Sequence, residues 1–300
     1  VVSDIDWTLV GHNDHLREFI YVWENEYMFG DSLLIYSTGR NLEDALKVAR
    51  CASYDEHLIN DLTLPVPDVF VAGAGTEIYS PVAPKTLKKV NTGSTVDASE
   101  EKDDFWAQMD RIQEDAIWKR QMTTTFNRKK LLDIVQKYAK FPHFELHGNA
   151  QSDPYRVPCQ WHFDKVEEGM AGLEETTSVI LREVQKTIGP GYKVIVSGDG
   201  DVRFIDFVGS HGGKLMALEY LVEKFGFGKN RDRVLVCGDS GNDADMYTAK
   251  GINGVAVENA QPALLKHIES LKEGATVYHG QRKVAGSVVD ALRHFFPTVH

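Results

Sequence analysis

Short apolar runs alternate along the chain with stretches that place apolar residues every three or four positions. The runs Leu33–Tyr36, Val69–Ala72 and Val234–Cys237 are short and bounded by polar residues, which predicts buried strands. After the first run, Asn41 suits a helix N-cap and acidic residues follow in the first helical turn. Strands that alternate with helices in this way are typical of a mainly parallel sheet with helices on its faces.

The middle of the chain has a different pattern. Residues 91–104 are small, polar and acidic, which predicts a surface loop. Helical periodicity over 105–118 and 128–141 follows this loop. Strand-like segments then come in pairs around one more helix: 143–147, 156–163, the helix at 175–188, 192–197 and 202–208. Paired strands beside helices predict an α+β unit with an antiparallel sheet.

We therefore predict an α/β fold with one inserted domain. Residues 82–208 form the α+β insert, and residues 1–81 with 209–300 form the core with the mainly parallel sheet. The length of 300 residues is enough for two such units, each with a hydrophobic core.

Charge and cysteine content narrow the class of protein. A net charge of −11 argues against nucleic acid as a general partner, and an anionic substrate then needs a local cation to hold it. The 3 cysteines are far apart and predict neither a disulfide framework nor a zinc site, so we expect a reducing, cytoplasmic location. No apolar run predicts a membrane span, and no signal peptide is visible. Because the chain begins with Val1 rather than Met, we expect that a few native residues precede it.

Two polar motifs follow the first two predicted strands. Asp4 and Asp6 are two residues apart and point to the same side of an extended segment, unless the chain turns between them. The segment Ser37–Arg40 combines a hydroxyl, a glycine and a helix start, which can hold a phosphate oxygen. Each motif alone also fits an ordinary turn.

Two further motifs lie in the last third of the chain. Lys214 opens a helix, where its charge opposes the helix dipole, so a negative group nearby would explain it. The segment Gly238–Asp243 places Asp239 and Asp243 in a tight turn after a strand. Clustered carboxylates suit a hard cation such as Mg²⁺, and here metal binding is favoured over a plain acidic turn.

These four motifs, in this order, resemble those of the haloacid dehalogenase phosphatase superfamily. The insert lies where members with a C2-type cap carry theirs, and within that group the chain is similar to the sucrose-phosphate phosphatases. The similar core stretches are Tyr36–Arg40, Gly73–Tyr79, Cys237–Asp243 and Val257–Pro262. The insert is similar only in patches, at 160–165 and 197–202.

The resemblance implies a Mg²⁺-dependent phosphatase that acts on a sugar phosphate, most simply sucrose 6-phosphate. It implies that Asp4 is the nucleophile that forms an aspartyl-phosphate and that Asp6 transfers protons. Thr38 and Lys214 would hold the phosphoryl oxygens. The implied metal ligands are Asp4, the backbone carbonyl of Asp6 and Asp239, and Asp243 would bind the metal or orient its waters. Association with a sugar-phosphate synthase is also implied.

The cap is expected to close over the site and select the sugar. Candidate substrate contacts are Gly39, Arg40, Glu77, His162, Asp164, Ser197, Asp199, Asp201 and Asn242. Arg40 either attracts the anionic substrate or pairs with Glu43 or Asp44. For each cap residue, a solvated sheet edge is an equally good interpretation.

The cap departs from the family pattern at several positions. Asp199 stands where a lysine or a neutral residue is usual, and the segment from Asp201 to Arg203 lacks the usual second aspartate. The segment Phe204–Gly213 also replaces the usual residues before Lys214. These changes leave the chemistry unaltered but weaken the assignment of the substrate.

Three alternatives stay open at this point. A phosphatase for glucosylglycerate, mannosylglycerate, trehalose or hexose phosphate fits the same core. A phosphomutase would need a second sugar-phosphate site. A non-catalytic sugar-phosphate-binding module is disfavoured, because such a module would be expected to lose the nucleophile, and Asp4 is present.

Overall fold

Two β-sheets, one of eight strands and one of four, organise the described part of the chain. A computed structural model describes residues 1–28, 31–51, 62–81, 112–140, 143–165, 169–198 and 200–297. The strands are β1 (Val2–Ser3), β2 (Ile35–Ser37), β3 (Val69–Ala72), β4 (Glu77–Pro81), β5 (Ile112–Glu114), β6 (Phe144–Leu146), β7 (Arg156–His162), β8 (Tyr192–Ser197), β9 (Val202–Gly209), β10 (Leu235–Gly238), β11 (Asn253–Ala256) and β12 (Thr276–His279). The predicted loop at 91–104 and the candidate Asp199 lie outside the described residues.

Helices connect and cover these strands. They are α1 (Asn13–Val22), α2 (Leu42–Cys51), α3 (Ala116–Thr125), α4 (Arg128–Tyr138), α5 (Gly169–Ile188), α6 (Lys214–Lys224), α7 (Pro262–Ser270) and α8 (Ala285–Phe295). Asn41 is confirmed as the N-cap of α2, since its side-chain oxygen accepts a 2.9 Å hydrogen bond from the Asp44 backbone N–H. Within the described ranges, no helix is both long and apolar enough to cross a membrane.

The large sheet has the strand order β12-β11-β10-β1-β2-β3-β4-β5. The strands from β12 to β3 are parallel, and β4 and β5 are added antiparallel at one edge. Strands β1, β2, β3 and β10 are buried throughout, as expected for a parallel sheet with both faces covered. The predicted mainly parallel α/β sheet is confirmed. Because β1 lies between β2 and β10, the carboxyl ends of these three strands meet at one edge of the sheet.

The small sheet is antiparallel, with the order β6-β7-β9-β8, and this confirms the predicted antiparallel unit. One face packs against α4 and α5 in a separate hydrophobic core that contains Val157, Trp161, Ile205 and Phe207. Successive side chains of a strand point to opposite faces. The alternate residues of β7 and β9 therefore form a second face, which is turned towards the large sheet.

The helix predicted over 105–118 is wrong over residues 112–114. These residues form β5, which pairs with β4 as the edge of the large sheet. The helix begins only at Ala116, because the Asp115 carboxylate caps it by accepting from the backbone N–H groups of Ile117 and Trp118. Residues 105–111 lie outside the described residues.

Candidate active site

Three of the predicted motifs begin where neighbouring parallel strands end. The backbone N–H of Asp4, directly after β1, donates to the Cys237 carbonyl of β10 at 3.0 Å. The backbone N–H of Thr38, directly after β2, donates to the Val71 carbonyl of β3 at 2.9 Å. Asp239 follows β10. In open α/β sheets, ligands bind at this carboxyl edge.

Lys214 joins two of these motifs from the first turn of α6. Its ammonium donates at 2.7 Å to Oδ1 of Asp4 and at 2.7 Å to Oδ1 of Asp243, and all three side chains are buried. Burial lowers the pKa of Lys214, but the carboxylates of Asp243 and Asp4 outweigh burial and raise the pKa above its ordinary value. Lys214 therefore stays charged, and it has the negative partners that its place in the sequence implied.

Asp243 is fixed by its second carboxylate oxygen. This oxygen accepts hydrogen bonds of 3.1 Å from the backbone N–H groups of Asp239 and Ser240 at the start of the 3₁₀ helix Gly241–Thr248. The same contacts hold the turn that carries Asp239. One aspartate thus orients both the lysine and the neighbouring carboxylate.

Asp4, Asp239 and Asp243 also fit a cation. Each offers a carboxylate oxygen, and these oxygens lie within 4.8 Å of one another. Burial, with nearby carboxylates, raises the pKa of Asp4 to about 7 and of Asp239 to about 9, because Lys214 supplies one positive charge to three clustered acids. A donor set of buried oxygens with excess negative charge suits a divalent cation. The site therefore fits the divalent metal that the resemblance implies.

Asp6 faces Arg40 rather than a second carboxylate. Nε of Arg40 donates to Oδ2 of Asp6 at 2.9 Å, and a terminal nitrogen of Arg40 donates to Oδ1 at 2.8 Å. The chain turns directly after Asp6, where Trp7 has a positive φ of 57°. The sequence predicted that Arg40 binds either the substrate or one of the acids Glu43 and Asp44. It did not predict the ion pair with Asp6.

A glycine turn supports both the Thr38 segment and Lys214. Within the stretch Gly73–Tyr79, the Ala74 backbone N–H donates to the Thr38 carbonyl at 3.0 Å. Gly75 has a φ of +88°, and a Cβ placed there would lie 2.2 Å from the carbonyl carbon of Gly213. Glycine is required here because the backbone just before Lys214 packs directly against it.

A cavity of about 430 Å³ opens above these groups, between the large sheet and the second face of the small sheet. Among the predicted site residues, the cavity is lined by Asp4, Asp6, Gly39, Arg40, Ser197, Asp239 and Asn242. Lining residues that the sequence did not indicate include Trp7, His147, Asn149, Arg156, Phe204 and Asp206. The phosphate motifs and one face of the small sheet thus enclose a common space.

The other predicted site residues lie outside the cavity lining. Thr38 and Lys214 are buried beneath it. Glu77 is buried and accepts a hydrogen bond from the Tyr79 hydroxyl, and burial raises the pKa of Glu77. His162 lies 2.7 Å from a carboxylate oxygen of Glu145. Asp164 and Asp201 are exposed at the far end of the small sheet.

Arg156 links the small sheet to the phosphate motif of the large one. It donates from Nε to Asp153 at 2.6 Å, and from one terminal nitrogen to Asp206 at 3.2 Å and to the Gly39 carbonyl at 2.8 Å. Arg156 is only 5% exposed, yet it lines the cavity. The alternation of side chains along β7 is the sequence signal that could have placed Arg156 on the cavity face. The partners of Arg156 at Gly39 and Asp206 are distant in sequence and could not be read from it.

Comparison with known proteins identifies the family. A family model for sucrose-6F-phosphate phosphohydrolase matches the chain over residues 1–114 and 106–296. The chain belongs to this family. The match confirms the resemblance drawn from the four motifs, and it extends over the small sheet as well as the large one.

Individual relatives agree with this assignment. The chain is 31% identical over 302 residues to probable sucrose-phosphatase 2 of Arabidopsis thaliana, a match that covers 98% of this chain and 59% of the plant protein. It is 24% identical to the mannosylfructose-phosphate phosphatase of Agrobacterium fabrum, with 98% of this chain and 95% of that protein covered. The chain thus spans about three fifths of the length of the plant relative.

A solved structure confirms the fold. The chain matches the sucrose-phosphatase of Synechocystis sp. PCC6803, determined in complex with sucrose and phosphate, with a TM-score of 0.72 and 22% identity. The match covers 98% of this chain and 96% of that one. The chain therefore has the predicted haloacid dehalogenase fold, with a parallel α/β sheet and an antiparallel α+β unit.

Proposed function

We propose that this chain is a magnesium-dependent phosphatase that hydrolyses sucrose 6F-phosphate to sucrose and phosphate. The observation that carries the proposal is the buried contact of Lys214 with Asp4 and Asp243 beneath a cavity of about 430 Å³. Such a cavity is of the size that holds small-molecule ligands. The substrate is inferred from the family and from the names of the relatives in Arabidopsis and Synechocystis.

In the first step, a carboxylate oxygen of Asp4 attacks phosphorus. The bond between phosphorus and the sugar oxygen breaks, and Asp6 gives its proton to that oxygen. In the second step, Asp6 takes a proton from water, and the water oxygen attacks phosphorus and releases phosphate from Asp4. Lys214 fixes one oxygen of Asp4 throughout and offsets the negative charge that gathers there.

The ion pair between Asp6 and Arg40 has a consequence for this sequence of steps. Both oxygens of Asp6 accept hydrogen bonds from Arg40, so the pair has to separate before Asp6 carries a proton to the leaving oxygen. The arriving phosphate dianion is a competing partner for the guanidinium. Arg40 would then contact the substrate, which is one of the two roles that the sequence predicted for it.

Asp4, Asp239 and Asp243 would hold the magnesium ion, together with the backbone carbonyl of Asp6. When bound, Mg²⁺ supplies positive charge beside the phosphoryl group. This charge also balances the buried carboxylates that Lys214 alone does not neutralise, so Asp4 is ionised and ready to attack.

We assign the four-stranded sheet with α4 and α5 to the cap, within the proposed insert 82–208 of a core made of 1–81 and 209–300. Its separate hydrophobic core and its open face on the cavity support this assignment. Strand β5 lies in the same range of the sequence but belongs to the large sheet. The cytoplasmic location and the association with a synthase stay predictions.

A phosphatase for mannosylfructose phosphate is the second candidate. The Agrobacterium fabrum relative of that name is matched over 95% of its length, which the plant relatives are not. Sucrose is a glucosylfructose, so the two substrates differ in whether glucose or mannose is joined to fructose. The choice between them therefore depends on the cap wall of the cavity.

The proposal is tested by phosphate release from a panel of sugar phosphates. We expect sucrose 6F-phosphate to give a kcat/KM at least about tenfold above that of trehalose 6-phosphate and hexose phosphates, since one well-placed polar contact gives such discrimination. Mannosylfructose phosphate belongs in the same panel, and EDTA should stop every reaction. Equal rates on all of the compounds, or release that is unaffected by EDTA, would contradict the proposal.

Magnesium should stabilise the folded chain more at high pH than at low pH. The pKa values of Asp4 and Asp239 are raised above 3.8, so the folded chain holds protons that the unfolded chain loses. Without a cation, the stability that these two groups contribute is therefore lost as the pH rises from about 4 towards 9. A divalent cation reverses this loss and binds only the ionised carboxylates.

The measurement is the shift of the melting temperature on adding MgCl₂ at about pH 5 and about pH 8, with EDTA as reference. We expect the larger shift at the higher pH. The Asp239→Asn variant should lose most of this shift in melting temperature. The metal assignment fails if this variant responds to Mg²⁺ as the original chain does.

A further inference from the structure

Phe204 is an exposed aromatic ring on the cavity wall of the cap. It lies within β9, where Ile205 and Phe207 point into the hydrophobic core of the small sheet. Val202, Phe204 and Asp206 alternate with them and line the cavity instead. Phe204 is 42% exposed, although large apolar residues of a globular protein are usually buried.

Phe204 is not needed for contact between the cap and the core, because they already touch on either side of the cavity. Arg156 of β7 donates to the Gly39 carbonyl at 2.8 Å. At the other side, the Val196 carbonyl of β8 lies 2.8 Å from where a Cβ on Gly241 would stand. The ring stays open to the cavity despite both contacts, so a ligand in the cavity is its remaining partner.

Two neighbours hold the ring in place. Gly198 has a φ of +88°, and a Cβ there would lie 3.2 Å from a ring carbon of Phe204. The ring of His147 stands at 68° to that of Phe204, with 6.0 Å between the ring centres. Gly198 and His147 also line the cavity. Phe204 is therefore a positioned apolar plate, and not a flexible surface side chain.

The groups around this plate suit a sugar ring better than a phosphate. Ser197 and Asn149 line the cavity beside it and can form hydrogen bonds with hydroxyl groups. The carboxylate of Asp206, on the same strand face, repels an anion and accepts from a hydroxyl. Lys214 and the metal-binding carboxylates lie on the core side. Arg156 lines the cavity from the cap side, but its charge is balanced by Asp153 and Asp206. The phosphate thus belongs to the core wall and an uncharged ring to the cap wall.

We propose that Phe204 determines specificity by packing against the apolar C–H face of the sugar ring that carries no phosphate. This inference rests on the proposed function, because it needs a substrate with a second ring. Aromatic side chains bury a large apolar area and favour flat partners. A sugar ring has a flat C–H face and a rim of hydroxyl groups, which matches the plate and the polar groups beside it.

The test compares sucrose 6F-phosphate with fructose 6-phosphate, which has the same phosphorylated sugar but no second ring. For Phe204→Ala we expect KM for sucrose 6F-phosphate to rise about tenfold, equivalent to ~1.4 kcal/mol. We expect kcat on that substrate and both constants for fructose 6-phosphate to change less than about twofold. Phe204→Tyr should restore the original KM, because it keeps the ring.

Arg203→Ala is the matched control. Arg203 is the next residue on the same strand but points to the opposite face, where its guanidinium lies 5.1 Å from the centre of the Phe163 ring. We expect this variant to keep the original constants. Phe204→Leu retains an apolar side chain on the strand, and we expect its KM to lie between those of Phe204→Ala and the original chain.

Two results would overturn the inference. One is an equal loss on both substrates in Phe204→Ala and Phe204→Leu, which would mean that Phe204 serves the fold or the core site. The other is an unchanged ratio of kcat/KM between the two substrates. Failure of the proposed function looks different, since the original chain would then not prefer sucrose 6F-phosphate at all, and both proposals would fall.

Discussion

Asp4→Asn is expected to lower kcat for sucrose 6F-phosphate by about 10⁴-fold or more, because the amide lacks the charge to attack phosphorus. The amide oxygen still accepts a hydrogen bond from Lys214, which donates to Oδ1 of Asp4 at 2.7 Å. The substitution also removes one acid from a cluster that burial and repulsion disfavour. The melting temperature should therefore be unchanged or higher.

This prediction is checked by phosphate release and thermal melting of the same preparation. Asp14→Asn is the control, because Asp14 is an exposed carboxylate on α1 whose contact is the ion pair with Arg17. It should keep full activity. If Asp4→Asn retains more than about a hundredth of the original kcat, Asp4 is not the nucleophile.

Lys214→Ala is expected to damage both activity and stability. Without the ammonium, the buried carboxylates of Asp4 and Asp243 have lost a shared cation, and loss of one member of a buried ion pair costs about 3–5 kcal/mol. The kcat should also fall by about 10²-fold or more, because the phosphoryl group loses a fixed positive charge. The stability loss should shrink at low pH, where the acids are protonated.

Lys250→Ala provides the comparison for Lys214→Ala. Lys250 pairs with Glu273, and both side chains are more than two thirds exposed, so its loss should cost less than about 1 kcal/mol. Urea unfolding of both variants, with EDTA present, measures the difference. If Lys214→Ala is as stable as Lys250→Ala at neutral pH, Lys214 does not hold the carboxylates together.

The parts of the site that the sequence revealed are those set by local chain geometry. Asp4, Thr38 and Asp239 each follow a short apolar run, and in a parallel sheet the ends of such runs meet. Lys214 was marked by a conflict with the helix dipole, which the adjacent acids resolve. Each of these features involves only a few consecutive residues, so it can be recognised without knowing the fold.

The parts that the sequence did not reveal depend on distant contacts. Arg156 bonds to Gly39, 117 residues away, and this contact arises only when the small sheet lies against the large one. Arg40 and Asp6 are 34 residues apart and meet because they follow β2 and β1, which are neighbours in the sheet. Helical periodicity at 112–114 gave way to pairing with β4 at the edge of the large sheet, since tertiary contacts override a short local pattern.

The central claim is that a phosphoryl group passes from the sugar to Asp4, and rapid acid quenching tests it most directly. Excess protein is mixed with sucrose 6F-phosphate and Mg²⁺ and quenched, and the peptide that contains Asp4 is examined by mass spectrometry. We predict a phosphoryl group on Asp4 that appears and decays within the first turnover, and none in Asp4→Asn. Two results would contradict the account: phosphate release with no phosphoryl group on Asp4 at any time, or a phosphoryl group on another residue.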